Sequence, residues 1–135
     1  MQISLHRTHA TRPSPETRRV VIIDDDAEVA DSIADALRSQ GCEVEVAYDS
    51  ADGIDAVAQH HTDCVLIDID MPRIDGLEVA RCLREVHRKG LVLIGITGES
   101  RAAGVAAADL SVFDHCLAKP VDAGAVHPLL PQHRR

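Results

Sequence analysis

Four short apolar runs in this chain each end on side chains that can do chemistry. Asp24, Asp25 and Asp26 follow VVII, and Asp68 and Asp70 lie in VLIDIDMPRIDG. Thr97 and Gly98 follow LVLIGI, and Lys119 and Pro120 follow HCLA. An apolar run ending on an aspartate poses a physical question, because a buried carboxylate is costly unless it is paired or holds a metal. Carboxylates brought within a few ångström raise one another's pKa unless a cation sits among them. Hard carboxylate and carbonyl oxygens select Mg2+ or a similar ion, which keeps some of its waters and meets a phosphate. A carboxylate can also be the nucleophile and take a phosphoryl group as an acyl phosphate. Lys119 suits phosphoryl oxygens by charge and Thr97 by hydrogen bonding. These residue types point to a Mg2+-assisted phospho-aspartate site.

For these groups to meet, the runs must be neighbouring strands. Residues 20–23, 44–47, 64–67, 91–96 and 115–118 read as short strands, the first and third apolar on both faces. Helical spacing is expected over 27–40 (Val29, Ile33, Ala36 and Leu37 inward), 50–60 (Ile54, Val57 and Ala58 inward) and 77–89 (Leu77, Ala80, Leu83 and Val86 inward). Gly41 and Gly90 read as helix stops. An Ala-rich helix weakened by Gly104 is expected over 100–108, and a last helix starts at Val121. Gly124, Pro128 and Pro131 limit that helix to one or two turns with an irregular end. Strands alternating with amphipathic helices mean a doubly wound α/β domain with a parallel sheet and helices on both faces. In such sheets ligands meet the carboxyl ends of the strands.

A chain of 135 residues, 45% of them hydrophobic, supports one globular domain. No apolar run reaches the length of a membrane span and no signal-peptide pattern opens the chain, so a cytoplasmic protein without membrane insertion is expected. The net charge of −8 argues against general nucleic-acid binding. Residues 1–18 hold two prolines and no sustained periodicity, and read as a flexible tail. Cys42, Cys64, Cys82 and Cys116 form no zinc spacing and are expected as small core residues.

VVIIDDDAEV, LIDIDMPRIDG, IGITGES and LAKP, in this order, resemble the four signatures of response-regulator receiver domains of two-component signalling. The likeness covers residues 19–130, leaving 131–135 as a C-terminal tail, and is similar to stand-alone, chemotaxis-regulator-like members. It implies a flavodoxin-like sheet of five strands in the order 2-1-3-4-5. Asp68 matches the phospho-acceptor, and Asp24 and Asp25 the acidic pair that binds Mg2+ together with Asp68 and the backbone carbonyl of Asp70. Thr97 matches the hydroxyl residue that moves toward the phosphoryl group, and Gly98 the small residue whose backbone approaches it. Lys119 matches the family's lysine, with a cis bond to Pro120. Pro72 and Gly76 support the turn into the third helix.

The implied function is uptake of a phosphoryl group by Asp68 from a phosphohistidine of a sensor histidine kinase or a histidine phosphotransfer protein. The surface around the fourth helix and fifth strand would then repack toward a protein target that the sequence does not name. Such a chain is a phospho-acceptor, not an enzyme with turnover, and is expected as a monomer or weak dimer, either a stand-alone receiver or a piece of a larger protein.

The sequence departs from the pattern at Cys116, where the family usually carries an aromatic coupled to the hydroxyl residue; Phe113 is the one Phe that could fill the space. Other readings compete with the main one. DDDAE brushes a calcium loop, but Val29 stands where that loop needs Gly. His60, His61, Asp63 and Cys64 could hold a metal, against a solvated helix end. The acids at 68 and 70 resemble the pair of an aspartate-nucleophile phosphatase, with Asp70 as acid/base. A receiver-shaped binding module that is never phosphorylated is the remaining alternative.

Overall fold

The computed structural model describes residues 17–71, 75–87, 90–98 and 111–131. Among them, strands β1 (Arg19–Ile23), β2 (Glu43–Ala47), β3 (Cys64–Asp68), β4 (Val92–Thr97) and β5 (His115–Ala118) form one sheet. The pairs are all parallel and the order is β2-β1-β3-β4-β5, as expected from the sequence. The register aligns Ile23 with Ile67, Asp68 with Ile96, and Thr97 with Ala118. The residues that end β1, β3, β4 and β5 therefore reach one edge of the sheet together.

Helices α1 (Ala27–Ser39), α2 (Ser50–Gln59), α3 (Gly76–Val86) and α4 (Ala123–Val126) follow the strands, and a 3-10 turn covers His127–Leu129. Each helix starts at an aspartate: Asp26, Asp49, Asp75 and Asp122 accept from backbone N–H groups of their first turns. Such caps satisfy donors that the helix leaves open and suit the positive end of its dipole.

Alternate strand residues feed two apolar layers. Val20 and Ile22 of β1, Leu66, Ile94 and Ile96 pack with Ala30, Ile33, Ala34 and Leu37 of α1 and Ala123 and Val126 of α4. Val21, Ile23, Val65, Ile67 and Leu93 pack with Val57 of α2, Leu77, Ala80 and Leu83 of α3, and Phe113. Continuous apolar strands are what a sheet covered on both faces requires.

Several expectations need correction. Val86 is 69% exposed. It lies about 20° round the helix from the buried Val79 seven residues earlier, so its place as the last residue of α3, and not its face, leaves it in solvent. Ala58 is exposed while Gly53 and Val57 face inward. α3 ends at Val86 and not at residue 89, and the last helix begins at Ala123 behind its Asp122 cap, not at Val121. Cys42 and Cys64 are buried, but Cys82 and Cys116 are exposed, the second because β5 is a short edge strand. The expected helix at 100–108, Gly104, Pro72 and residues 1–16 and 132–135 lie outside the described residues. No helix among the described residues is long and apolar enough to cross a membrane.

Gly76 is needed for close approach, not for an unusual backbone angle. A Cβ there would stand 2.7 Å from Asp68 O and 2.9 Å from Ile69 Cα. Both are backbone atoms at the end of β3, and backbone cannot swing aside. Gly76→Ala is therefore expected to destabilise the fold by about 1–3 kcal/mol, the usual cost of overpacking, despite its better helix propensity. Urea unfolding of the two proteins measures this.

Candidate functional site

The backbone N–H of Asp24 donates to Ala47 O at 3.0 Å, continuing the β1–β2 ladder by one bond. Its side chain is 1% exposed. Asp24 Oδ1 accepts from Asp26 N at 2.9 Å, while the buried Oδ2 has no hydrogen-bond partner. Loss of solvent pushes the Asp24 carboxyl up to about 7, with Asp68 adding to the rise and the Asp26 N–H and Lys119 opposing it. Asp25 is exposed. One oxygen from each of Asp24, Asp25 and Asp68 lies within 4.8 Å of the others.

Asp68 ends β3 and is 3% exposed. Its Oδ1 accepts from Asp70 N at 2.9 Å, and its Oδ2 accepts from Lys119 Nζ at 3.0 Å. Lys119 is carried there by the end of β5, where its N–H donates to Thr97 O at 2.9 Å and its bond to the exposed Pro120 is cis. Burial opposes charge on the Lys119 amine, but the acids Asp68, Asp24 and Asp70 outweigh it and raise its pKa.

Thr97 is 3% exposed, and its hydroxyl donates to Gly98 O at 3.1 Å. Gly98 N–H donates to Asp70 Oδ2 at 2.6 Å. The family likeness gave Asp70 only a backbone role, and its side chain entered only in the phosphatase alternative; the bond to Gly98 was in neither. Asp70 stands in the turn after β3, where strand alternation no longer applies, so the sequence carried no signal for this bond. This bond also engages the carboxylate that a phosphatase would use as acid/base.

Cys116 aligns with Gly95 of β4. The ring of the buried Phe113 covers that spot, with Cδ2 and Cε2 3.2 Å from where a Gly95 Cβ would lie. Phe113 thus fills apolar space close to the missing aromatic. The competing histidine site does not form. His60 Nε2 lies 3.6 Å from Glu45 Oε2, and the Asp63 carboxyl accepts from Arg19 N at 2.8 Å, both at the amino end of the sheet. Asp26 caps α1 through Val29 N at 3.3 Å.

The model of the response regulator receiver domain family matches residues 20–130. The response regulator MprA of Mycobacterium sp. (strain KMS) is 36% identical over 102 residues, covering 76% of this chain and 44% of that protein. The chain thus spans less than half the length of the curated relatives it matches. A response regulator receiver protein from Burkholderia phymatum is 29% identical with a TM-score of 0.69, covering 84% of this chain and 91% of that one. Response regulator TrrA of Thermotoga maritima, solved in complex with Mg(2+)-BeF, superposes with a TM-score of 0.73 at 22% identity, over 84% of this chain and 96% of that one. Matched along nearly all of its described strands and helices by both sequence and fold, the chain belongs to the response regulator receiver domain family.

Proposed function

We propose that Asp68 accepts a phosphoryl group from a phosphohistidine of a sensor histidine kinase or a histidine phosphotransfer protein. The observation that carries this reading is the contact of Lys119 Nζ with Asp68 Oδ2 at 3.0 Å, inside a cluster of acids at one sheet edge. A carboxylate oxygen of Asp68 attacks phosphorus, the P–N bond breaks, and its electron pair leaves with the imidazole. The product is an acyl phosphate on Asp68. Lys119 holds the carboxylate in place and neutralises charge as it builds on the phosphoryl oxygens, where positioning and electrostatics supply the rate. Water later cleaves the acyl phosphate, so the chain resets without being an enzyme that turns over a free substrate.

The residues present fit a Mg2+ ion. Asp24, Asp25 and Asp68 offer carboxylate oxygens, and the buried Asp24 Oδ2 lacks a partner. Oxygen donors of this kind are what a hard divalent cation selects. When bound there with the Asp70 carbonyl, Mg2+ would supply positive charge to the phosphoryl oxygens. Thr97 is the residue we assign to follow the phosphoryl group, giving up its bond to Gly98 O, so that the surface around β5 changes toward a protein target.

Incubation with acetyl phosphate and Mg2+, followed by intact mass, tests the acceptor. The protein is expected to gain one phosphoryl group and Asp68→Asn none. No gain by the folded wild-type protein would leave the binding-module reading in its place.

Asp24 gives a second expectation. Its folded pKa of about 7 lies above the unfolded value of 3.8. The folded state then holds more protons than the unfolded state between these values, so stability falls as pH rises through that window. In chelator, Asp24→Asn is expected to be more stable than wild type at pH 8, on the order of 3 kcal/mol, and to lose the advantage near pH 4. Thermal melts across pH, with Mg2+ added back, check both the sign and the loss of metal response in the variant.

A further inference from the structure

Two donors that the ends of β4 and β5 present to the acid cluster are already held by carboxylates of the chain. Lys119 Nζ is on Asp68 Oδ2 at 3.0 Å, and Gly98 N–H is on Asp70 Oδ2 at 2.6 Å. The two bonds differ in what phosphorylation would do to them. Lys119 sits on a flexible stem and touches the carboxylate that reacts, so it can follow a phosphoryl group attached there. The Gly98 amide is fixed in its backbone. Next to it Thr97 O takes Lys119 N at 2.9 Å, and Ile96 O takes Ile69 N at 2.8 Å. An N–H so fixed has one hydrogen to give, and Asp70 has it. The 2.6 Å separation is shorter than is usual for a charge-assisted N–H···O⁻ bond.

Asp70 is also tied to the reacting group. Its own N–H donates to Asp68 Oδ1 at 2.9 Å, so its side chain projects from a backbone anchored on Asp68. Gly98 has no side chain to hold the two apart; a Cβ there would stand 3.3 Å from Asp70 Oδ2. The Asp70 carboxylate therefore occupies, with the same sign of charge and the same kind of acceptor, a backbone donor that a phosphoryl group on Asp68 would use. Fixed backbone N–H groups are strong stabilisers of charge that develops on phosphoryl and acyl oxygens, provided they are free to point at it.

We infer that the Asp70 side chain is a latch on the Gly98 amide, a positioning residue that must let go before a phosphoryl group can settle on Asp68, and that it slows phosphoryl uptake. This rests on the reading of Asp68 as phospho-acceptor. Asp70 is thereby given a side-chain role beside the backbone role in metal binding.

The test is the initial rate of phosphoryl uptake from acetyl phosphate at saturating Mg2+ in the full chain, comparing wild type, Asp70→Ala and Asp70→Asn. The Gly98 amide is followed by proton–nitrogen NMR. Losing a hydrogen bond to a charged group is expected to speed uptake about tenfold in Asp70→Ala. Asp70→Asn keeps an acceptor oxygen without the charge and should fall between the two. The Gly98 amide proton should resonate downfield in wild type and move upfield in Asp70→Ala, which reports the lost bond, while the faster uptake is the response that a purely structural role for Asp70 would not give. Equal or slower uptake by a folded Asp70→Ala, or an unmoved Gly98 resonance, overturns the latch. Should Asp70→Ala not fold, Asp70→Asn decides alone: faster uptake supports the latch and an unchanged rate overturns it. Uptake by all three proteins at one rate sinks the latch and leaves the acceptor standing. No uptake by any of them removes the acceptor, and the latch falls with it.

Discussion

Among the described residues, one ammonium group meets the acids at the carboxyl end of this sheet. Lys119 reaches Asp68 from the far side of β4, and Asp24 and Asp68 are almost wholly out of water at 1% and 3% exposure. Two such carboxylates with Asp25 beside them need opposing charge if they are to stay ionised together. With all three acids ionised, Lys119 leaves a net charge of minus two. A divalent cation matches that remainder, and a neutral pocket would have no use for one. The register of β4 against β5 matters because it decides whether the amine arrives at the height of Asp68.

The geometry also explains why the site can sit on an otherwise apolar frame. Both faces of the inner strands are covered by helices, so the residues at their carboxyl ends are the first that can be polar. Those residues are Asp24, Asp68 and Thr97, and each is bonded through its backbone or side chain to a neighbouring strand end or loop. The hydrogen bonds that continue the sheet thus also tie down this edge. Close packing supports it from below, where Gly76 lets α3 touch the backbone at Asp68 and Ile69.

Much of this was readable in the chain. VVII, CVLI and LVLIGI are apolar on both faces and stop abruptly at acids or a hydroxyl, which marks buried parallel strands and their chemical ends together. The sheet order followed from the family likeness and not from the strands themselves. What could not be read was anything set by two segments meeting. The bond from Gly98 to Asp70 joins residues 28 apart, and no spacing rule predicts it. Exposure of Cys116 depends on β5 being at the edge, which a four-residue apolar string does not reveal. Val86 failed because it ends its helix, and Ala58 because a hydrophobic residue at helical spacing can still lie on the rim of the buried stripe. Gly76 was expected for its turn and is required for its lack of a side chain.

At the other pole of the domain, Arg18 Nε donates to Pro131 O at 3.0 Å, and Arg18 O accepts from Glu43 N at 3.0 Å. The places where the polypeptide comes into the sheet and where it departs are one arginine side chain apart. Both lie by the amino ends of the strands, and the apolar layers of the domain separate them from Asp24, Asp68 and Lys119 at the opposite edge.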